Sequence, residues 1–516
     1  MRYLLVITLL ASPLHAAAPP VQPKKIVLIS GKKSHGPEGN GIHDYGWSVR
    51  LIRTMIQRSN VAQDVRIEAH FGGWPRDPAT LNDADSVLIL SDGRDGNLFE
   101  EAPHLATPER VRAFDAHMKR GCGLMTFHFS TFAPEKYREE VLRWNGGYFQ
   151  WEQGGKRAWY SAIRTIDAEV AIDEKHPVAR GVKSFRLREE FYYNLRLSTD
   201  AVPLAKVSDL KGRVPDGNVV AWTLSRSSGR GFGTTCGHFY DNWRNPMFRK
   251  LMLNGLIWSA GVEVPPEGVE TSFYTHEEIA RSERPTRVLL FAGNEAHKWH
   301  NWEKTTPRIR EAIEKDNQFG VEVSLDIEDL SRRRLGEYRA IVLNYCNWHD
   351  GRPLSEASRT ALVSYLNEGG GLISVHFANG AFHYSLPKAG ASDWPEYRRI
   401  VRRVWDHSAK PASGHDSFGR FVVRPTDTTH PIIQGLKPFE VTDELYFRQT
   451  GEEPIEPLIV AESRVTKRLE PLAWTYRYGK GRIFQTLLGH SEKTYDSPET
   501  GEILRRAAKW VAESER

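Results

Sequence analysis

The stretch EGGGLISVHFANG, residues 368–380, decides the fold that we expect for this chain. Glycines precede a short apolar run, and His376 and several turn-forming residues follow it. The preceding segment, LSEASRTALVSYLNEGG, has a helical spacing of apolar residues, with Ser355 as a candidate N-cap and Gly369 as the exit. A helix that ends at glycine and leads into a buried strand is the repeating unit of an α/β protein with a parallel sheet.

A second copy of this stretch occurs earlier in the chain, as RGCGLMTFHFSTF at residues 120–132. It follows a helical pattern with Thr107 as a candidate N-cap and Gly121 as the exit. Other pairs keep the same order at a separation of about 250 residues. They are KKIVLISG with TRVLLFAG, SVLIL with AIVLN, HPVARG with HPIIQG, REEFYY with TDELYF, and the Gly-His pairs at 237–238 and 489–490.

The ordered repeats predict a tandem duplication of one α/β, parallel-sheet module. We place the two domains at residues 24–264 and 285–516. Between them, residues 265–284 form a polar segment bracketed by prolines, which is typical of a linker.

Composition and the N-terminus limit the class of protein. The 516 residues are 40% hydrophobic and 26% charged, as is ordinary for a folded globular protein. The net charge of +5 is small and the basic residues are scattered, so we expect no nucleic-acid partner. Residues 1–18 have the layout of a signal peptide, which predicts a secreted or periplasmic protein without a membrane span. A retained N-terminal anchor is the alternative.

Histidines end two strands in each half. His376 and its counterpart His128 follow a buried strand directly, at the sheet edge where open α/β proteins bind ligands. His490 ends a later strand in the second half, and Glu492 stands two residues on, where a carboxylate could orient the imidazole. His238 is the equivalent in the first half. The alternative for each is a histidine that only packs or caps a strand.

Acidic residues and one more histidine accompany these strand ends in the second half. His415 is adjacent to Asp416, and Asp443 is adjacent to Glu444, with Tyr446 close behind. Carboxylates held near one another shift each other's pKa values and suit acid–base chemistry or metal binding. We take them with His376, His490 and Glu492 as candidate catalytic residues and Tyr446 as a candidate substrate-binding residue. Their counterparts in the first half are Glu189, Glu190 and Tyr192.

A divalent metal is a possible cofactor, and no other cofactor is indicated. His376, His415 and His490 are the candidate ligands, because three imidazoles with nearby carboxylates would satisfy such an ion. No compact H-E-x-x-H spacing occurs to support a metal further.

Polar loops after the first strand of each half are candidate substrate-binding segments. In the first half the loop carries His35, His43 and Asp44 among several glycines. The second-half loop carries His297, Trp299 and His300. The glycine spacing matches neither a dinucleotide fingerprint nor a phosphate-binding loop, which argues against nucleotides. Aromatic rings beside histidines and acids suit a sugar, and a surface glycine turn is the alternative reading.

These motifs together resemble the ThuA-like (trehalose utilisation) family. The resemblance lies in the glycine-led strand ending in VHF, in HPIIQG, in TDELY and in YGKGRIFQTLLGHS, and it covers both halves. It is fuller in the second half, which favours that half as the active one. The resemblance implies a fold similar to that of class I glutamine amidotransferases. It also implies an association with disaccharide use through 3-keto-sugar intermediates.

Class I amidotransferases use a cysteine at the strand-end turn and a His-x-Glu after a late strand. His490-Ser491-Glu492 resembles the second motif, but His376 and His128 stand where the cysteine would be. Glutaminase chemistry is therefore not expected. Cys122, Cys236 and Cys346 are too few for a disulfide framework, and we expect them to be buried core residues.

Two functional hypotheses follow. The first is an exported enzyme that hydrolyses, cleaves by elimination or isomerises a sugar or keto-sugar through histidine and carboxylate acid–base chemistry, with or without a metal. The second is a non-catalytic carbohydrate-binding or scaffold protein that keeps the fold. They differ in whether the histidines and carboxylates converge in one crevice.

Overall fold

The computed structural model describes residues 22–94, 101–293, 300–426 and 429–514. The predicted signal peptide, residues 1–18, lies outside them. Among the described residues no helix combines the length and the apolar character needed to cross a bilayer.

The first half is a nine-stranded mixed sheet with helices on its faces, in the order β2-β1-β3-β4-β13-β12-β11-β8-β9. From β2 to β13 the strands run parallel, and from β13 to β9 they run antiparallel. The strands of this half are β1 Lys24–Ser30, β2 Val65–His70, β3 Ser86–Leu90, β4 Gly123–Phe127, β5 Gly147–Tyr148, β6 Glu152–Gln153, β7 Lys156–Arg157, β8 Ala162–Ile172, β9 Phe185–Tyr193, β10 Arg196–Leu197, β11 Val202–Lys206, β12 Val219–Ser225 and β13 Arg230–Thr234. The helices are α1 Tyr45–Gln57, α2 Pro108–Arg120, α3 Arg138–Asn145 and α4 Pro246–Ser259.

The second half repeats this topology, in the order β15-β14-β16-β17-β24-β23-β22-β19-β20. Its strands are β14 Thr286–Gly293, β15 Phe319–Ser324, β16 Ala340–Tyr345, β17 Gly371–Val375, β18 Gly414–His415, β19 Gly419–Pro425, β20 Phe439–Asp443, β21 Tyr446–Phe447, β22 Pro457–Glu462, β23 Leu469–Tyr478 and β24 Gly481–Thr486. Its helices are α6 Trp302–Glu314, α7 Asp329–Arg332, α8 Glu356–Asn367, α9 Pro395–Ile400 and α10 Pro498–Ala512, and α5 His276–Ser282 lies in the segment between the halves. The predicted α/β class with two similar domains is confirmed. The antiparallel strands that extend each parallel sheet were not predicted.

The helix that leads into β4 has the ends expected from its sequence. The Thr107 hydroxyl accepts a hydrogen bond from the Arg110 N–H at 3.3 Å, and Gly121 ends α2 with a φ of 107°. Glycine is favoured there because a Cβ is disfavoured at positive φ. β4 and β17 are buried along their whole length, since helices cover both faces of the sheet. The three cysteines are free and buried, as expected.

A buried cluster of charges joins the two halves. Glu322 on β15 contacts Arg58 at the end of α1, Arg287 Nη2 at 2.9 Å and Arg333 Nη1 at 3.0 Å. The Tyr338 hydroxyl donates to the same carboxylate at 2.7 Å. Burial opposes the charge of Glu322, but the three guanidinium groups outweigh it and lower its pKa to about 2.

Removing Glu322 should therefore loosen the contact between the halves. Glu322→Ala leaves three arginines without their shared carboxylate, and breaking a buried ion pair in this way costs about 3–5 kcal/mol. Urea denaturation of the variant and the parent protein measures this. Glu440→Ala is the control, because the Glu440–Arg420 pair is exposed and should change the free energy of unfolding by less than about 1 kcal/mol.

The same carboxylate gives a pH signature. The pKa of a glutamate in an unfolded chain is about 4.3, whereas the pKa of Glu322 in the folded protein is about 2. Its stabilisation is fully present above the unfolded pKa and is lost as the pH falls through the folded pKa. If Glu322→Ala and the parent protein lose stability equally between neutral pH and pH 2, this account of the cluster is wrong.

Candidate functional site

Three histidines and one glutamate converge at equivalent places in the two halves. We name His43, His128, Glu190 and His238 the first cluster, and His300, His376, Glu444 and His490 the second cluster. Within each cluster the nitrogen or oxygen atoms that each residue can offer as ligands all lie within 4.8 Å of one another.

The sheet brings these side chains together. His128 follows β4 and His238 comes shortly after β13, and these two strands are parallel neighbours. His376 and His490 follow β17 and β24 in the same way. The carboxyl ends of parallel strands meet at one edge, which is where open α/β sheets bind ligands. Glu190 lies on β9 and Glu444 follows β20, each at the antiparallel end of its sheet.

The strand-end histidines sit on strained turns. His128 has a φ of 51° and His376 a φ of 48°, values that are uncommon for residues other than glycine and that often mark functional sites. His128 Nδ1 lies 2.6 Å from the Thr235 carbonyl, and His376 Nδ1 lies 2.6 Å from the Leu487 carbonyl. Because a carbonyl only accepts, Nδ1 donates and Nε2 of each ring presents a lone pair to its cluster.

The first cluster is compact. His43 Nε2 lies 3.0 Å from His238 Nδ1 and 3.1 Å from His128 Nε2, and the last two atoms are 3.3 Å apart. A Glu190 oxygen lies 3.2 Å from His238 Nδ1 and 3.6 Å from His128 Nε2. The Tyr192 hydroxyl also reaches His128 Nε2, at 2.8 Å.

The second cluster has the same plan. A Glu444 oxygen lies 3.1 Å from His490 Nδ1, and the ring centres of His376 and His490 are 5.5 Å apart. The His300 ring lies 5.2 Å from that of His376 and stacks on Phe377 at 4.1 Å. Tyr446 is placed like Tyr192, but its hydroxyl approaches His300 Nε2, at 3.4 Å.

Burial keeps two of these imidazoles neutral. The pKa of His43 falls to about 3, mainly because burial disfavours the charged ring, although Asp92 opposes the shift. Burial and the neighbouring rings of His300 and His490 lower the pKa of His376 well below its usual value. Burial opposes ionisation of Glu190, but the neighbouring imidazoles of His128 and His238 outweigh it and lower its pKa. Neutral rings beside a carboxylate can accept a proton or ligate a cation.

Asp443 and Glu189 were expected in the site, but they bind the backbone that carries the site histidines. Asp443 is fully buried and accepts hydrogen bonds from the N–H groups of Gly489 at 2.8 Å and His490 at 3.2 Å. Glu189 holds Gly237 and His238 in the same way, at 2.8 and 3.1 Å. Burial raises the pKa of Asp443 to about 6. These carboxylates fix the backbone that carries His490 and His238.

Three other expected residues lie away from the clusters. Glu492 is 39% exposed and pairs with Lys304 at 3.3 Å, so the expected His490–Glu492 pair is wrong, and Glu444 takes that place. Asp416 accepts from the Ser463 hydroxyl at 2.7 Å and holds a turn. Asp44 does the same in its loop, accepting from the Gly41 N–H at 2.6 Å.

Two expected histidines lie at the edges of the clusters. His415 is 40% exposed, and its Nδ1 lies 3.4 Å from the outer oxygen of Glu444. The His35 ring lies 4.1 Å from that of His43. His297 and Trp299 lie outside the described residues.

Four residues beside the clusters were missed from the sequence. The Tyr45 hydroxyl donates to Asp92 at 2.5 Å and lies 2.9 Å from His43 Nδ1. Phe418 is 41% exposed with its ring 5.3 Å from that of His490, and Trp405 packs on Tyr446 at 4.5 Å. Asp92 could have been found as an acid two residues after the buried strand β3.

The buried thiols do not supply a nucleophile. Burial raises the pKa of Cys122 to about 12, and it also raises the pKa values of Cys236 and Cys346 well above their usual range. The reactive form of cysteine is the thiolate, so these residues are inert at neutral pH.

Comparison with known proteins adds a family. The model of a family described as ThuA, trehalose utilisation, matches residues 38–259 and 287–511. No curated protein sequence matches the chain significantly.

Solved structures align with about half of the chain. A thua-like protein from Parabacteroides merdae is 26% identical over 45% of this chain and 91% of its own, with a TM-score of 0.38. A thua-like protein from Bacteroides uniformis is 17% identical over 44% of this chain and 91% of its own, with a TM-score of 0.36. A glutamine amidotransferase from Thermotoga maritima is 12% identical over 45% of this chain and 100% of its own, with a TM-score of 0.28.

Proposed function

This chain belongs to the ThuA (trehalose utilisation) family, and we propose that it is an exported enzyme acting on a sugar or keto-sugar. The observation that carries the proposal is the convergence of three imidazoles and one carboxylate in each half. Ionisable groups that gather in a crevice with shifted pKa values are typical of catalytic sites.

The chemistry of the clusters suits proton transfer on a carbonyl-bearing or hydroxyl-bearing substrate. An imidazole can accept a proton from the substrate, and Glu444, whose carboxylate lies 3.1 Å from His490 Nδ1, can stabilise an imidazolium that forms on His490. Hydrolysis, elimination and isomerisation of a sugar all need this proton transfer. The proposed reaction lies within that group and excludes glutaminase chemistry.

Aromatic side chains at the second cluster support a sugar ligand. Phe418 exposes its ring beside His490, and Trp405 lies against Tyr446. Aromatic faces provide large, rigid, partly apolar contact area, and the C–H face of a pyranose ring offers a matching surface.

The proposed export rests on the sequence of residues 1–18, with its short apolar run and small residues. N-terminal sequencing of the protein recovered from the periplasm or the medium tests it. A mature protein that starts at Met1 in the cytoplasm would contradict it.

The function itself is tested by turnover. Purified protein is incubated with a panel of disaccharides and their 3-keto forms, and products are followed by chromatography. We expect turnover of at least one member of the panel and its loss in His490→Ala. Saturable binding of a sugar with no turnover of any member would instead support a carbohydrate-binding protein.

Phe418→Ala should weaken substrate binding without slowing the chemical step. The ring is exposed next to His490 but offers no proton-transferring group. Loss of aromatic contact of about 0.5–1.5 kcal/mol corresponds to a roughly twofold to tenfold higher KM, with kcat unchanged. Steady-state kinetics on the active sugar measures both constants. Val422→Ala, an exposed apolar residue further along β19, is the control and should leave KM unchanged.

A further inference from the structure

We propose that each half of the protein binds one divalent transition-metal ion, the first through His43, His128, His238 and Glu190 and the second through His300, His376, His490 and Glu444. The inference concerns the site of the proposed function and deepens it, but its evidence and its test involve no sugar.

Lone pairs point at one another in the second cluster. His376 is fully buried, and its Nδ1 is committed to the Leu487 carbonyl, so Nε2 faces the cluster as an acceptor. Among the described residues neither His376 Nε2 nor His490 Nδ1 has a hydrogen-bond partner. Burying such atoms unpaired is unfavourable, because they lose their hydrogen bonds to water. A cation between them removes that cost.

Glu444 and His490 also face each other without forming a hydrogen bond. The carboxylate oxygen lies 3.1 Å from His490 Nδ1, yet the two atoms make no hydrogen bond. Two ligands of one ion make this kind of contact, because each directs its lone pair at the metal and not at the other.

Distances in the first cluster match neighbouring ligands of one ion. Metal–imidazole bonds of about 2.0–2.1 Å place two nitrogens roughly 3.0 Å apart in octahedral geometry and roughly 3.4 Å apart in tetrahedral geometry. The three nitrogen pairs of the first cluster lie at 3.0, 3.1 and 3.3 Å. Without an ion, the Tyr192 hydroxyl, 2.8 Å from His128 Nε2, donates to this nitrogen, whereas His376 Nε2 has no such partner in the described part of the second cluster.

The donor set identifies the class of ion. Three imidazoles and one carboxylate suit zinc, cobalt, nickel or iron, whereas calcium and magnesium prefer oxygen ligands. Glu190 and Glu444 are partly exposed, with 24% and 13% of their side chains accessible. A further ligand can therefore approach each ion from the side on which the glutamate is accessible.

Asp92 is a positioning residue for the first ion. The Tyr45 proton goes to Asp92, so the Tyr45 oxygen accepts from His43 Nδ1–H and His43 Nε2 is left as the ligand. Strand register places Cys346 at the position of Asp92 in the second half. Loss of such an orienting carboxylate typically weakens metal binding 10- to 100-fold or so.

The test measures metal on the full-length protein. Chelator-treated protein is titrated with Zn²⁺ or Co²⁺, bound metal is quantified by elemental analysis, and Co²⁺ coordination is followed by its visible absorption. We expect one ion per cluster. His238→Gln and His490→Gln should each remove one ion, the double variant should remove both, and Asp92→Asn should weaken only the first site. His430→Gln is the control, because His430 belongs to neither cluster and packs on Trp510, and this variant should bind both ions.

Wild-type protein that binds neither ion at tens of micromolar would overturn the proposal, as would unchanged stoichiometry in the double variant. Circular dichroism of each variant separates loss of a ligand from loss of the fold. A protein that binds no metal but turns over a sugar would overturn this inference and leave the proposed function standing. Two bound ions without turnover of any sugar would support this inference and contradict the proposed function.

Discussion

The double variant Glu190→Gln, Glu444→Gln is expected to lose roughly 10²- to 10⁴-fold in kcat/KM on the active sugar. Each glutamate is the carboxylate that faces the histidines of its cluster, at 3.2 Å from His238 and 3.1 Å from His490. Glutamine keeps the size of the side chain but cannot stabilise an imidazolium by charge. The loss therefore falls on the reaction and not on packing.

The single variants assign the activity to one half or to both. Each cluster consists of three histidines and one glutamate. The fuller motif set of the second half is therefore no longer a reason to assign the activity to that half alone. If only the second half is active, Glu444→Gln reproduces the double variant and Glu190→Gln leaves kcat/KM unchanged. Glu492→Gln is the control, because Glu492 pairs with Lys304 at the surface. A large loss in Glu492→Gln with full activity in the double variant would move the site away from the clusters.

The sequence predicted the ends of the parallel strands well. Buried strands are recognisable as continuous apolar runs, and repetition in both halves was the reason to select His376 and His128 as candidates, with a packing role as the alternative. The fold brings together the carboxyl ends of neighbouring parallel strands, so residues far apart in sequence could be placed at one edge. This is why His376 and His490, and their counterparts, were all proposed.

Adjacent acidic residues could not be separated in advance. Asp443 ends β20 and Glu444 follows it, and successive side chains of a strand point to opposite faces. One residue therefore supports the backbone of His490 and the other faces the cluster. Choosing between them required the register of β20, which a short strand at the antiparallel end of the sheet does not specify from its sequence.

Comparison of the two halves also gave no reason to select site residues that have no counterpart in the other half. Asp92 corresponds by register to Cys346, so repetition gave no reason to select it. Glu492 was selected by analogy with the His-x-Glu of amidotransferases, but a 3-10 turn over Glu492–Asp496 carries it towards Lys304. An analogy of spacing fails where the local turn differs.

Gly489→Ala is expected to lower the free energy of unfolding by about 2–5 kcal/mol and to disable the second cluster. Gly489 has a φ of 139°, which a residue with a Cβ rarely adopts. A Cβ there would lie 2.8 Å from a Val375 methyl group and 3.1 Å from His376 Cβ. The glycine before His490 thus lets the ends of β17 and β24 approach closely enough for His376 and His490 to meet.

Gly435→Ala separates strain from crowding. Gly435 also has a positive φ, 75°, but a Cβ there would meet nothing within 4 Å. Its replacement should cost only about 1–2 kcal/mol, from backbone strain, and should leave the activity of the second half intact. Urea denaturation and sugar turnover of both variants, measured in a Glu190→Gln background to silence the first half, give the comparison. Equal losses of stability in the two variants, with equal retained activity, would show that close approach at Gly489 does not position His376, because strain alone would then account for both results.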